Sequence, residues 1–288
     1  MLILCSISSY NVSRRDRMEE IIKEIISEYK KLDEVEAITL AGSRAAGRND
    51  QQSDIDLDLF ITCPISIEKR RSIALKFADQ MEIGNEFFGS SDEYILRDFN
   101  IDIDICLFNL EDIVNNLHSV MNEYHASTGY TTCFVHNVVN AKLLYDRNGL
   151  LKQLQKEYHR RYPHQLKQNI INMNYPILRD AFSSYYHQVE KAIKRQDLNS
   201  LNHRVTAFLA SYYDIIFAIN EMLHPGEKRL LSIIEHSCPI YPPDAQKQIE
   251  QLIRNIGIND EVVLKTMNQL VDELQNMLPN ELLDNRQS

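Results

Sequence analysis

Residues 54–62 read Asp-Ile-Asp-Leu-Asp-Leu-Phe-Ile-Thr, a strict two-residue alternation that suits an extended strand with one buried face. Ile55, Leu57, Leu59 and Ile61 fall on one side, and Asp54, Asp56, Asp58 and Phe60 on the other. A second alternating run, Ile101 to Phe108 (IDIDICLF), sets Asp102 and Asp104 on a shared face. A chain carrying two such strands among helical segments calls for an α/β arrangement.

The rest of the chain is read around these strands. Met18, Ile21, Ile22, Ile25, Ile26 and Tyr29 recur at helical spacing, which predicts a helix from about Arg14 to Leu32. Ala37 to Leu40 reads as a strand, and the small residues Ala41-Gly42-Ser43 as a turn. Residues 67–81 read as a helix, and further helices are expected from the end of the second alternating strand to Leu144-Tyr145-Asp146. Beyond about residue 150 strand signals stop. Helical periodicity runs over His164–Arg195, with Pro176 as a break or kink, then over Leu198–Leu223, Glu227–Glu235, Asp244–Ile256 and Asp260–Met277, the last capped by Asn259. The expected organisation is a loose tail at 1–17, an α/β (α+β) domain at 18–150 and an all-α helical bundle at 151–288, with the boundary near Asn148-Gly149.

Composition narrows the function. A length of 288 residues suits about two domains. No apolar run approaches the roughly 18 residues of a membrane span; Val205–Ile219 is interrupted by Asp214 and reads as a buried helix. The apolar start, Met1 to Cys5, has no basic region before it, which argues against a secretory signal. Five scattered cysteines without a CxxC pair fit a reducing cytoplasm and argue against structural zinc. Forty-one Asp+Glu against 31 Lys+Arg give a net charge of −10, which disfavours a nucleic-acid surface and suits a cationic small molecule. A homodimer stays open.

The chemistry-bearing stretch is Gly42-Ser43-Arg44-Ala45-Ala46-Gly47, then Ser53-Asp54-Ile55-Asp56, with Asp104 on the later strand. Nucleotidyl transfer needs donors that approach a triphosphate closely, and Gly42 and Ser43 permit this. It also needs hard carboxylate oxygens for Mg²⁺. Carboxylates at i and i+2 of a strand project from one face about 7 Å apart. Asp54, Asp56 and Asp104 could therefore hold two ions about 3.5–4 Å apart, which stabilise both the attacking and the leaving oxygen.

The order Gly-Ser, about ten residues, D-h-D-h, then a later h-D-h strand resembles the DNA polymerase β-like nucleotidyltransferase superfamily. GSRAAGRNDQQSDIDLDLF is similar to its small bacterial members, and IDICLFNLEDI to their third-carboxylate strand, which puts Asp104 rather than Asp102 at the matching position. LLYDRNGLLKQL, residues 143–154, resembles the segment that often closes this domain. The resemblance covers roughly residues 18–155. It implies a mixed sheet flanked by helices, ATP or another NTP as co-substrate, and Mg²⁺. The two-domain size is similar to antibiotic nucleotidyltransferases acting on aminoglycosides or lincosamides.

The expected activity is transfer of a nucleoside monophosphate, AMP foremost, to a hydroxyl of a small molecule, with an antibiotic-resistance role as one version. Asp54 and Asp56 hold metal, Gly42 and Ser43 cradle pyrophosphate, and Asp104 is a metal ligand, the general base, or both. Arg44 is a candidate triphosphate contact and Asp102 a secondary metal candidate. Two alternatives stand beside this: adenylylation of a protein or an RNA end, and a nucleotide-binding protein without turnover. A merely solvated acidic face is the plain competitor. An EF-hand fails because Leu59 stands where the loop needs Gly, and a Walker loop because no Lys-Ser/Thr follows the glycines. Asp58 reads as solvated, Lys228 as a surface charge, and the pairs Tyr185-Tyr186 and Tyr212-Tyr213 as core.

Overall fold

The computed structural model describes residues 14–41 and 54–278. These divide into two compact units, residues 14–41, 54–114 and 141–155 in one and residues 115–140 and 156–278 in the other.

In the first unit the chain runs α1 (Arg14–Tyr29), β1 (Val35–Leu40), β2 (Ile55–Ile61), α2 (Ile67–Ala74), β3 (Ala78–Asn85), β4 (Ser91–Leu96) and β5 (Asp102–Asn109). Helix α3 (Leu110–Met121) leaves this unit, and β6 (Lys142–Asp146) and the start of α5 (Leu150–Tyr158) return to it. The six strands form one mixed sheet in the order β3-β4-β5-β2-β1-β6. β2 and β5 are parallel and the other neighbours antiparallel. The parallel pair requires a crossover, which α2, β3 and β4 supply.

The alternation resolves as expected. Ile55, Leu57, Leu59, Ile103 and Ile105 are buried, and pack with Ile25, Ile26 and Tyr29 of α1 and Ile73 and Ala74 of α2. The sheet is therefore covered on this face, and the carboxylates of β2 and β5 lie on the other.

Two expectations are corrected, and one strand was not anticipated. Helix α2 ends at Ala74 rather than near residue 81: Lys76 and Phe77 turn back onto Ile73 O and Ala74 O, and β3 begins at Ala78. Strand β4 carried no expectation at all. Residues 142–146 are a strand rather than helix, because β6 pairs with the open edge of β1. The turn after it is tied down. The Arg147 guanidinium donates to the carbonyls of Leu32 and Val35, and Asn148 donates to both carboxylate oxygens of Glu36 at 3.0 and 2.9 Å.

β4 hides its alternation because Asp92 faces the core. It meets Arg70 of α2 at 3.0 Å, with the two side chains 5% and 0% exposed. Asp92 also accepts from Gly84 N–H at 2.8 Å. Gly84 has φ +82°, a backbone conformation that L side chains rarely adopt, so this bulge favours glycine.

The second unit is helical. It contains most of α3, α4 (Cys133–Asn140), α6 (His164–Leu178), α7 (Tyr185–Lys194), α8 (Leu198–Ile219), α9 (Leu230–Ser237), α10 (Ala245–Asn255) and α11 (Asp260–Gln275). α8 is its centre, packed by α6 and α7, with Phe208, Tyr212, Ile215 and Phe217 buried. Pro176 lies inside α6, two residues before its end. Asn259 caps α11 by accepting from Val262 N–H. α9 starts after Arg229, so residues 227–229 precede it.

Residues 115–140 join this unit, whereas a single cut near 150 was expected. The reason is visible in their hydrogen bonds. Buried Asp214 of α8 accepts from the Thr131 hydroxyl at 2.6 Å and from its backbone N–H, and buried Asn174 of α6 accepts from Gly129 N–H. Asn169 donates to Tyr124 O. The apolar run of α8 thus contains a carboxylate that organises the 124–132 segment.

Removing one partner of a buried ion pair leaves an unpaired charge and costs about 3–5 kcal/mol. Arg70→Met is expected to lose that much stability in urea unfolding, and Arg70→Met/Asp92→Asn to regain part of it. A loss below about 1 kcal/mol in the single variant would show that the pair does not hold α2 against β4.

Candidate active site

The site is built by register. Along the parallel pair, Ile55 sits opposite Ile103, Leu57 opposite Ile105 and Leu59 opposite Leu107. The same register sets Asp56 opposite Asp104 and Asp58 opposite Cys106. On the other side of β5, Glu93 of β4 pairs with Asp104, and Glu82 of β3 pairs with Glu93. Adjacent strands lie about 4.8 Å apart, so Asp56, Asp104, Glu93 and Glu82 form one carboxylate row across four strands.

Asp54 is exposed immediately before β2, and Asp102 is exposed at the first position of β5. Asp56 and Asp104 are half-buried. Burial pushes the Asp104 carboxyl up to about 6, and the charges of Asp56, Glu93, Asp54 and Asp102 add to the effect. Asp58 is also raised to about 6, by burial first and then by Asp56, against a hydrogen bond from buried Thr39 Oγ1 at 3.4 Å. It is half-buried beside β1 rather than fully solvated as expected. The Cys106 thiol on the same face is held up near 11 by burial and the surrounding carboxylates. Farther along, Phe60 and Phe108 sit in register with ring centroids 6.0 Å apart. Gly42, Ser43 and Arg44 lie outside the described residues.

Among the described residues, no three His, Cys, Asp or Glu side chains already stand as a metal-ligating group. The fit to a cation rests on the donor chemistry: hard carboxylate oxygens are concentrated where their mutual field resists ionisation, which a divalent ion relieves.

Glu93 and Glu82 were not anticipated. Their signal was present in the Glu82 and Glu93 positions of two short strands. It was masked by the helix read over 67–81 and by Asp92, a polar residue on the core face.

Tyr212 and Tyr213 are buried in α8, as the core reading expects. Among the described residues, no helix is long and apolar enough to cross a membrane.

Residues 131–230 match the family described as Domain of unknown function (DUF4037). No curated protein matches the chain. Among solved structures, the chain resembles a nucleotidyltransferase-like protein from Exiguobacterium sibiricum 255-15, at 15% identity and a TM-score of 0.44, covering 94% of this chain and 81% of that one. It also resembles the Thermotoga maritima CCA-adding enzyme complexed with tRNA (14% identity, TM-score 0.32, 93% and 68% covered). A STING-associated c-di-GMP synthase from Capnocytophaga granulosa is similar at 12% identity and a TM-score of 0.27, with 90% and 81% covered.

Removing a charge from the row should relieve repulsion. At pH 8 without divalent ions, Asp104→Asn is expected to raise the thermal midpoint by a few degrees, about 1 kcal/mol after solvent screening. Millimolar MgCl₂ should raise the midpoint of the original chain and leave the variant's nearly unchanged. An equal Mg²⁺ response in both would remove Asp104 from the cation site.

Proposed function

We propose that this chain transfers a nucleoside monophosphate, AMP foremost, from an NTP to a hydroxyl of a small molecule, with release of pyrophosphate. The observation that carries this reading is Asp56 in direct register with Asp104 on adjacent parallel strands, with Asp54 two residues before Asp56.

Asp54, Asp56 and Asp104 would hold magnesium. Ions bound to them would supply charge neutralisation on the polyphosphate and on the developing oxyanions. The protein's own part is positioning. Rigid strands fix Asp56 and Asp104 side by side, so no loop has to order them at each turnover. The acceptor O–H bond breaks as its oxygen bonds to the α-phosphorus, and the bond from that phosphorus to the pyrophosphate oxygen breaks in turn. Where Asp104 serves as the general base as well as a metal ligand, it accepts the hydroxyl proton. Gly42 and Ser43 are assigned to the outgoing pyrophosphate, Arg44 to the triphosphate and Asp102 to a secondary place at the metal.

The test is pyrophosphate release from each NTP with Mg²⁺ across a panel of hydroxylated small molecules, cationic ones included. Asp56→Asn should lower kcat by about 100–1,000-fold while its circular dichroism is unchanged. Undiminished turnover in that variant would overturn the assignment.

A further inference from the structure

On the core side of β4, opposite the carboxylate row, polar atoms of three buried side chains come together. Asp92 and Tyr94 stand two residues apart on this strand and so share a face. Tyr29, the last residue of α1, belongs to the same core. Asp92, Tyr94 and Tyr29 are 0%, 3% and 0% exposed. They lie within electrostatic reach of one another. The Asp92 charge acts on both phenols and Tyr29 acts on Tyr94, while burial is the first cause that raises both hydroxyls above the usual phenol range. Tyr29 Oη, Tyr94 Oη and Asp92 Oδ2 nevertheless have no hydrogen-bond partner among the described residues. The other Asp92 oxygen, Oδ1, accepts from Arg70 and from Gly84 N–H. A buried phenol usually finds a partner for its O–H, and a buried carboxylate oxygen for its lone pairs.

We propose that these groups form a binding site for one internal water molecule, which accepts from the Tyr29 and Tyr94 hydroxyls and donates to Asp92 Oδ2. Three features select water. Polar groups that sense one another across more than hydrogen-bond distance are those that a single water bridges. Two donors and one acceptor match its hydrogen-bonding capacity, and a buried water makes about three such bonds. Charge excludes an ion: Arg70 already compensates Asp92 at 3.0 Å, so a charged guest would leave the core unbalanced. The bridge ties α1 to β4, beside the ion pair that ties α2 to the same strand. On its other face β4 carries Glu93 into register with Asp104.

The test is a set of hydroxyl deletions, Tyr29→Phe, Tyr94→Phe and the double variant, each followed by urea unfolding and by ¹⁷O magnetic relaxation dispersion, which counts long-lived internal waters. Sign decides first. A hydroxyl bonded to a buried water stabilises the fold, so each single deletion should lower the folding constant about five- to tenfold. A hydroxyl with no partner at all costs stability, so its deletion would leave the urea midpoint unchanged or raise it, and that outcome overturns the proposal. Sharing one water makes the two hydroxyls depend on each other, so the double variant should lose less than the two single effects combined. Independent effects would give each hydroxyl its own partner and overturn the shared site. The dispersion of the double variant should report one long-lived water fewer than that of the original chain. Destabilisation with an unchanged water count would mean that the hydroxyls bond directly to protein atoms in solution, and it too overturns the proposal.

Discussion

The parallel register of β2 against β5 is the constraint on which the first unit depends. It is chosen on the buried side, where Ile55, Leu57 and Leu59 must meet Ile103, Ile105 and Leu107 beneath α1 and α2. The exposed side has no vote in it. Because side chains alternate strictly, the same register forces Asp56 beside Asp104. A slip of one residue would turn the carboxylates into the core. A slip of two would keep the faces and set Asp56 against Asp102 or Cys106. Hydrophobic packing thus holds in place a like-charge pair that would separate if it were free to do so.

The two faces of this sheet divide a packed core from a carboxylate row, and β4 shows how closely they are joined. On its core side Asp92 pairs with Arg70 and accepts from Gly84 N–H, which fixes the strand against α2. On its other side Glu93 is set beside Asp104. The hairpin that leads into β4 inherits this placement through Asn85, which joins the Phe87 backbone to the Glu93 carboxylate. The helical unit uses buried polar groups differently. Asp214 and Asn174 satisfy backbone donors of the 124–132 segment, and a carboxylate inside an otherwise apolar helix serves architecture there.

Legibility followed the strength of local periodicity. β2 and β5 were plain because every second residue is aliphatic, and α1 because its apolar residues keep one helical face. β3 and β4 were obscured by partners distant in sequence: a buried Asp looks like a surface residue until Arg70 is brought to it, and residues 75–81 look helical until pairing with β4 claims them. β6 is a short edge strand whose conformation is set by the free side of β1, not by its own five residues. The assignment of residues 115–140 to the helical unit was likewise invisible, since it depends on side chains 40 to 90 positions away.

The sequence by itself determined the two acidic strands, the helical second half, and the candidates Asp54, Asp56 and Asp104, because these follow from which residues alternate and which recur every three to four. Only the tertiary structure decided that Asp56 stands directly beside Asp104, that Glu93 and Glu82 continue the row, and that Asp58 is half-buried beside Thr39. Strand order and register are properties of pairing between segments, and no single segment carries them. The physical reason is that a strand's faces are set by its own residues, whereas its neighbours are set by which buried surfaces fit together.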